Sequence, residues 1–317
     1  MSSIIIISEG DPAGIGYDIL VKSKARLMNL AKTKKIILTR SECNLQLPFF
    51  KEINLENLSK PIPSGLYQIT KDCLNKTEGK NIHLGKPSIE SGKVSFYSFH
   101  LAVQIQKQIG GNLITLPLSK EWVIKSGVRN FRGHTEELSM LYKKPTTMLM
   151  YGPTMKVIVL TTHIPLRKVS LELKKIDVLS LINSIKNSTI FQNPKIALCG
   201  LNPHAGEDGK IGTEEKEVLL KIVEKFRTNR MNISEPMPAD SLFQSDIRSK
   251  YDLILACYHD QGLIPFKSIE GKKGINVTLG LDFLRVSPDH GTAFDIAGKG
   301  NADPTSFWEC LNFTAKN

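Results

Sequence analysis

Apolar residues along this chain gather into two kinds of run. The short kind is continuous and rich in β-branched residues: Ile4-Ile5-Ile6-Ile7, Lys35 to Thr39, Asn112 to Thr115, Val157 to Leu160, Lys195 to Cys199, and Leu253 to Tyr258. Such runs predict strands buried on both faces, because branched side chains pack well in a sheet and poorly on a helix. The longer kind carries apolar positions at helical spacing. It predicts helices from about Gly16 to Leu30, from Ser91 to Ile109, from near Glu136, around Leu171 to Ile185, and from Thr213 to about Arg227. In the last of these Val218, Leu219, Ile222, Val223 and Phe226 form one stripe. Strand and helix alternate, which implies an α/β chain with a largely parallel sheet. Residues 41–88 are polar and broken by Pro48, Pro61, Pro63 and Pro87, and they predict no regular element.

Composition narrows the class without naming a chemistry. The 317 residues are 41% hydrophobic and 23% charged, as in ordinary globular domains. Lys and Arg total 42 against 31 Asp and Glu, giving a net charge of +11. The basic residues are scattered as small groups such as Lys34-Lys35 and Lys272-Lys273, without the single-face clustering of a nucleic-acid binder, so no nucleic-acid partner is expected. A positive field does favour a phosphorylated substrate. Cys43, Cys73, Cys199, Cys257 and Cys310 make no C-x-x-C pair, and Cys199 and Cys257 lie in apolar runs, which suits a reducing compartment. No apolar run approaches the ~18 residues of a membrane span, so no membrane partner and a cytoplasmic location are expected.

Candidate chemistry stands at the ends of the predicted strands. His163, His204 and His259 each follow a separate apolar run. Parallel strands bring their carboxyl ends to one edge, where α/β proteins bind ligands. Three imidazoles with an open position suit a catalytic divalent ion such as zinc; three unrelated structural histidines are the alternative, since spacing does not say which strands are neighbours. Asp240 and Asp260 read either as carboxylates orienting such ligands or as turn residues. Lys267, Asn276 and Arg285 follow the third histidine and read as one anion-binding wall or as surface residues. Gly133-His134-Thr135-Glu136 places His134 and a capping Thr135 before a helix, either an anion site or a plain cap. Gly10-Asp11-Pro12-Ala13-Gly14-Ile15-Gly16 is a Gly-rich strand-to-helix turn, either connection or anion site, but Ile19 breaks the dinucleotide fingerprint. Residues Gly79 to Pro87 likewise miss the spacing of a phosphate loop. Phe96, Phe99 and His100 read as packing residues.

Taken together, several of these segments resemble the 4-hydroxythreonine-4-phosphate dehydrogenase family of pyridoxal phosphate biosynthesis. They are the Gly10–Gly16 turn, Gly133 to Glu136, Thr161-Thr162-His163-Ile164-Pro165-Leu166, Leu201-Asn202-Pro203-His204-Ala205-Gly206-Glu207, Pro238-Ala239-Asp240 and Tyr258-His259-Asp260-Gln261-Gly262. His290-Gly291-Thr292 to Gly298 also resembles the adenine-side loop of isocitrate and isopropylmalate dehydrogenases. The resemblance implies a two-lobed isocitrate/isopropylmalate dehydrogenase-like fold, not an orthodox Rossmann domain, with lobes at about 1–130 plus 285–317 and 131–284. It implies a homodimer whose active site is completed at the subunit interface. A divalent metal (Zn, Mg or Co) would be held by His163, His204 and His259. His134, Thr135, Lys267, Asn276 and Arg285 would bind substrate, with Lys267 also catalytic, and His290, Gly291 and Thr292 would contact NAD or NADP. The implied reaction oxidises 4-phosphooxy-L-threonine at C3 and decarboxylates it to 3-amino-2-oxopropyl phosphate. Related phosphorylated acids, 4-phosphothreonate and 4-phosphoerythronate, are alternative substrates, and a basic nucleic-acid-binding protein on this scaffold is the remote alternative. The chain departs from the family pattern at Tyr17-Asp18, at Leu116 to Ser119, and at Glu137.

Overall fold

The computed structural model describes residues 4–40, 45–70 and 82–317. Cys43, Cys73 and Gly79 lie outside the described residues. The strands are β1 (Ile4–Ser8), β2 (Lys35–Arg40), β3 (Lys51–Glu52), β4 (Gly65–Thr70), β5 (Asn112–Thr115), β6 (Thr147–Tyr151), β7 (Lys156–Val159), β8 (Lys195–Cys199), β9 (Asn232–Met237), β10 (Leu253–Ala256), β11 (Ile275–Leu279) and β12 (Arg285–Pro288). The chain divides into two compact units, Met1–Glu137 with Phe283–Asn317, and Leu138–Asp282. These limits differ by a few residues from those expected, chiefly because 131–137 belongs with the first unit.

The first unit carries the order β3-β4-β2-β1-β5-β12, and every pairing in it is parallel. Ile5, Ile6 and Ile7 at its centre are fully buried, as an uninterrupted apolar run requires when helices cover both faces of the sheet. The second unit carries β11-β6-β7-β10-β8-β9. There β7, β10, β8 and β9 are parallel, while β6 runs antiparallel to both its neighbours. Sheets that are largely parallel with helical crossovers match the expected α/β class.

Three local expectations are corrected. Residues 41–88 are not wholly irregular: β4 pairs with β2 along its full length. Its signal was masked by Gln68, which is buried and donates to Glu52 Oε1 at 2.7 Å. The helix expected from Gly16 to Leu30 breaks at Ser23, whose hydroxyl accepts from Trp308 Nε1 at 3.0 Å. The helical segments expected around Leu171 to Ile185 are present as Val169–Leu173 and Val178–Lys186, the second started by Asp177 Oδ1 accepting from Ser180 N. The Thr213–Arg227 helix opens with a π-turn, Glu215–Leu219, before its regular part Leu220–Thr228.

Among the described residues no helix is long and apolar enough to cross a membrane. Cys199, Cys257 and Cys310 are free and buried. Burial pushes the Cys199 thiol up to about 12, so it behaves as the small hydrophobe its apolar run implies.

Candidate active site

In the second unit β10 lies between β7 and β8, parallel to both, so three neighbouring strands deliver their carboxyl ends side by side. His163 follows β7 by four residues, His259 begins the helix directly after β10, and His204 follows β8 by five. Side chains lace these ends together. Thr161 Oγ1 donates to Cys257 O at 2.8 Å, tying β7 to β10. Gln261 Nε2 donates to Gly200 O at 2.7 Å while its Oε1 accepts from Cys257 N at 2.6 Å, tying β10 to β8. The helix His259–Glu270 can start this close because Gly262 has no side chain: a Cβ there would stand 2.9 Å from Ala256 Cβ and 3.0 Å from Val157 and Val159.

The His163 and His259 rings lie with centroids 5.6 Å apart, tilted at 46° to each other. His259 Nδ1 lies 2.6 Å from Asp260 Oδ1. The carboxylate can only accept, so Nδ1 donates to it and Nε2 is the nitrogen left to meet a ligand. Asp260 is thus the orienting carboxylate, while Asp240 sits exposed in the first turn of Ala239–Leu242. Both histidines line a cleft of about 300 Å³ with Thr161, Tyr258 and Asp260. A slightly larger cavity of about 330 Å³, walled by Leu173, Val178, Ile222 and lysines, carries no such chemistry. His204 is exposed and stands outside the pair: among the described residues no three His, Cys, Asp or Glu side chains are grouped to hold an ion. The expected triad is therefore assembled as strand ends but not closed as side chains. His204 to Asp208 all have positive φ and turn left-handed after β8. The donor set itself, imidazoles with one oriented by a carboxylate, fits a divalent ion.

The first unit holds a second cluster. The helix predicted near Glu136 begins at His134, which places Thr135 inside its first turn rather than at its cap. His134 packs edge-on to the buried Phe99 at 4.8 Å, and its Nε2 is enclosed without a hydrogen-bond partner. Burial, with Arg285 and Lys120 adding to it, holds this imidazole well below its ordinary range, so it is neutral at pH 7. Arg285 on β12 is only 2% exposed, donates to Thr115 Oγ1, and is pushed by burial down to about 10. Two cations around a neutral imidazole with an unfilled nitrogen suit an anion. Lys120 had no role in the sequence reading; only the fold brings it to His134. In the second unit Asn276 on β11 has a buried, unpartnered Oδ1, and Lys267 is exposed in the last turn of His259–Glu270.

Around the Gly10–Gly16 turn the first unit resolves an open alternative. Asp11 N donates to Pro117 O, Gly14 N to Asp11 O, Ile15 N to Thr292 O, and Ala13 N to Asp11 Oδ1. These amides are occupied within the protein and hold no anion. Gly10 has φ +71°, and a Cβ on it would meet Pro117 O at 2.3 Å. The turn packs against the 290–298 loop, where His290 Nδ1 contacts Gly291 O at 3.1 Å and Nε2 is buried and unpartnered. Gly291 borders open space. The departures from the family pattern have local partners: Asp18 Oδ2 accepts from Gly298 N at 2.7 Å, and Glu137 pairs with His100 Nε2 at 3.0 Å.

Burial raises the Asp11 carboxyl from 3.8 to about 6, with Glu9 adding repulsion. The folded chain therefore keeps this proton longer than the unfolded one. The stabilisation is complete below pH ~4 and lost as pH rises through ~6, a fall on the order of 3 kcal/mol. Asp11→Asn, whose amide oxygen still accepts from Ala13 N, is expected to raise urea stability at pH 8 and leave it unchanged near pH 4. An equal effect at both pH values would count against this assignment.

The parallel-stranded units, with histidines at neighbouring strand ends, define the class: an α/β protein with its candidate site at the carboxyl edge of the strands. A solved 4-hydroxythreonine-4-phosphate dehydrogenase from Klebsiella pneumoniae superposes with TM-score 0.81 at 30% identity, covering 99% of both chains. Residues 18–314 match the family described as "Pyridoxal phosphate biosynthetic protein PdxA", and the chain belongs to that family of oxidoreductases. It is 36% identical to the 4-hydroxythreonine-4-phosphate dehydrogenase of Sulfurihydrogenibium sp. over 97% of this chain and 96% of that one. It is also 36% identical to the D-threonate 4-phosphate dehydrogenase of Cupriavidus necator, over 97% and 95%.

Proposed function

We propose that this protein is an NAD-dependent, divalent-metal-dependent 4-hydroxythreonine-4-phosphate dehydrogenase that oxidises 4-phosphooxy-L-threonine at C3, followed by decarboxylation to 3-amino-2-oxopropyl phosphate. One observation carries the reading: β7, β10 and β8 are neighbours and parallel, and each is followed by a histidine. His163, His204 and His259 would hold the metal, with Asp260 keeping His259 in its ligating tautomer. When bound, a divalent ion supplies positive charge beside the reacting oxygen, and a nicotinamide accepts the hydride. His134, Lys120 and Arg285 offer neutral and cationic donors for the phosphate or carboxylate. Thr135, Lys267 and Asn276 are further substrate-binding residues, and His290, Gly291 and Thr292 border the cofactor. The family resemblance supports a homodimer with its site at the subunit interface, working in the cytoplasm.

The test is NADH formation by purified protein with 4-phosphooxy-L-threonine, before and after chelation of divalent ions. Turnover that stops on chelation and returns with added metal is expected. Because a D-threonate 4-phosphate dehydrogenase is equally similar, D-threonate 4-phosphate is run alongside. Turnover of that acid alone would move the substrate assignment while leaving the site; inactivity with both would end the proposal.

A further inference from the structure

We infer that Glu215 is the positioning residue for His204. The inference rests on the metal reading above and goes beyond it by naming what fixes the third ligand's backbone. His204, Ala205, Glu207 and Asp208 are non-glycine residues at φ between +43° and +59°, in one continuous left-handed stretch. For L-residues this conformation costs roughly 1–2 kcal/mol each, so it persists only where the surroundings impose it. Glu215 supplies the imposition. The residue is 6% exposed, and its Oε1 accepts from Leu201 N at 2.9 Å and Asn202 N at 2.8 Å. Oε2 accepts from Asn202 Nδ2 at 3.0 Å. A Cβ on Gly206 would stand 2.5 Å from the same Oε2, so the turn is folded directly onto the carboxylate.

Two independent features agree with this role. The helix that carries Glu215 is widened to a π-turn at that residue, a distortion that often marks functional positions. Glu215 also has no cationic partner among its hydrogen bonds; the donors to it come from the segment leading into His204. A carboxylate buried for stability alone would be expected to pair with Lys or Arg. Here its charge is spent on two backbone amides and an Asn side chain.

The experiment compares wild type, Glu215→Ala, Glu215→Gln and His204→Ala. Zn²⁺ affinity is read by competition with a chromophoric chelator, and amide exchange at Leu201 and Asn202 by hydrogen–deuterium mass spectrometry. Glu215→Ala is expected to weaken Zn²⁺ binding by about 10–100-fold and to speed exchange at those two amides, with the far-UV spectrum unchanged. Glu215→Gln retains the acceptor for the backbone amides and is expected to fall between. KM for the phosphorylated substrate should move less than twofold while kcat falls. If His204→Ala loses Zn²⁺ affinity but Glu215→Ala does not, the positioning role is wrong. If His204→Ala binds Zn²⁺ as wild type does, the metal reading itself fails.

Discussion

Replacing His259 with alanine is expected to lower kcat by about 10³-fold or more, because charge stabilisation by a bound divalent ion is worth several kcal/mol in the transition state. The same variant should lose most of its divalent-ion affinity. The structure makes this histidine the sharpest test of the three. It begins the helix after β10, the central strand of the β7, β10, β8 group, and it alone has a carboxylate on its Nδ1. Asp260→Ala leaves the ligand but frees its tautomer, and a loss of 10–100-fold in metal affinity is expected. Chelator competition and steady-state kinetics read both variants. Wild-type affinity in His259→Ala would remove the metal from this edge of the sheet altogether.

The second large effect is expected at Arg285. Its guanidinium is among the largest fully buried side chains, beside His134 and close to Glu136. Each charge-assisted hydrogen bond to an anionic substrate contributes roughly 1.5–3 kcal/mol, so losing a two-pronged contact in Arg285→Met should raise KM by about 10²–10³-fold. Arg285→Lys should recover little, since an ammonium cannot reproduce the planar fork. Stability should hold or rise in Arg285→Met, because a buried charge gives way to an apolar side chain of similar reach. Substrate titrations and urea melts on the same preparations separate the two effects. An unchanged KM, or a KM rise that only tracks lost folding, would place the anion elsewhere.

How much of this was readable beforehand depends on the range of the interaction involved. The strands β1, β2, β5, β7, β8 and β10 were legible because a buried strand in a parallel sheet is apolar on both faces, a purely local signal. The three histidines stood out for the same reason: each marks the point where an apolar run stops. What spacing alone left open was the adjacency of β7, β10 and β8, which depends on pairings across tens of residues. Gln261 was only one letter of a motif until the fold placed Gly200 against it, 61 positions away. Glu215 was hidden inside an ordinary helical stripe, since its partners Leu201 and Asn202 belong to another segment. The left-handed turn at His204 was illegible because Ala205 and Glu207 are not residues that ask for positive φ. Within the Gly10–Gly16 turn the glycines were visible, but that Asp11 and Thr292 occupy its amides was not.

The path of the chain through the two units sets a timetable for its synthesis. The second unit is one unbroken segment, whereas the first is made from both ends of the chain. Strand β5 pairs with β1 on one side, but its other neighbour, β12, contains Arg285, 170 positions after Thr115. At ribosomal speeds of about 5–20 residues per second, that edge waits roughly ten to thirty seconds for its partner. During this interval Leu113 and Ile114 sit on an unpaired parallel edge, the surface most prone to recruiting another nascent chain. The second unit is synthesised in this same interval, and its last residue, Asp282, precedes Arg285 by three positions. The histidine-bearing unit is thus complete just before β12 emerges, and the sheet of the first unit closes only when Arg285 and its strand arrive.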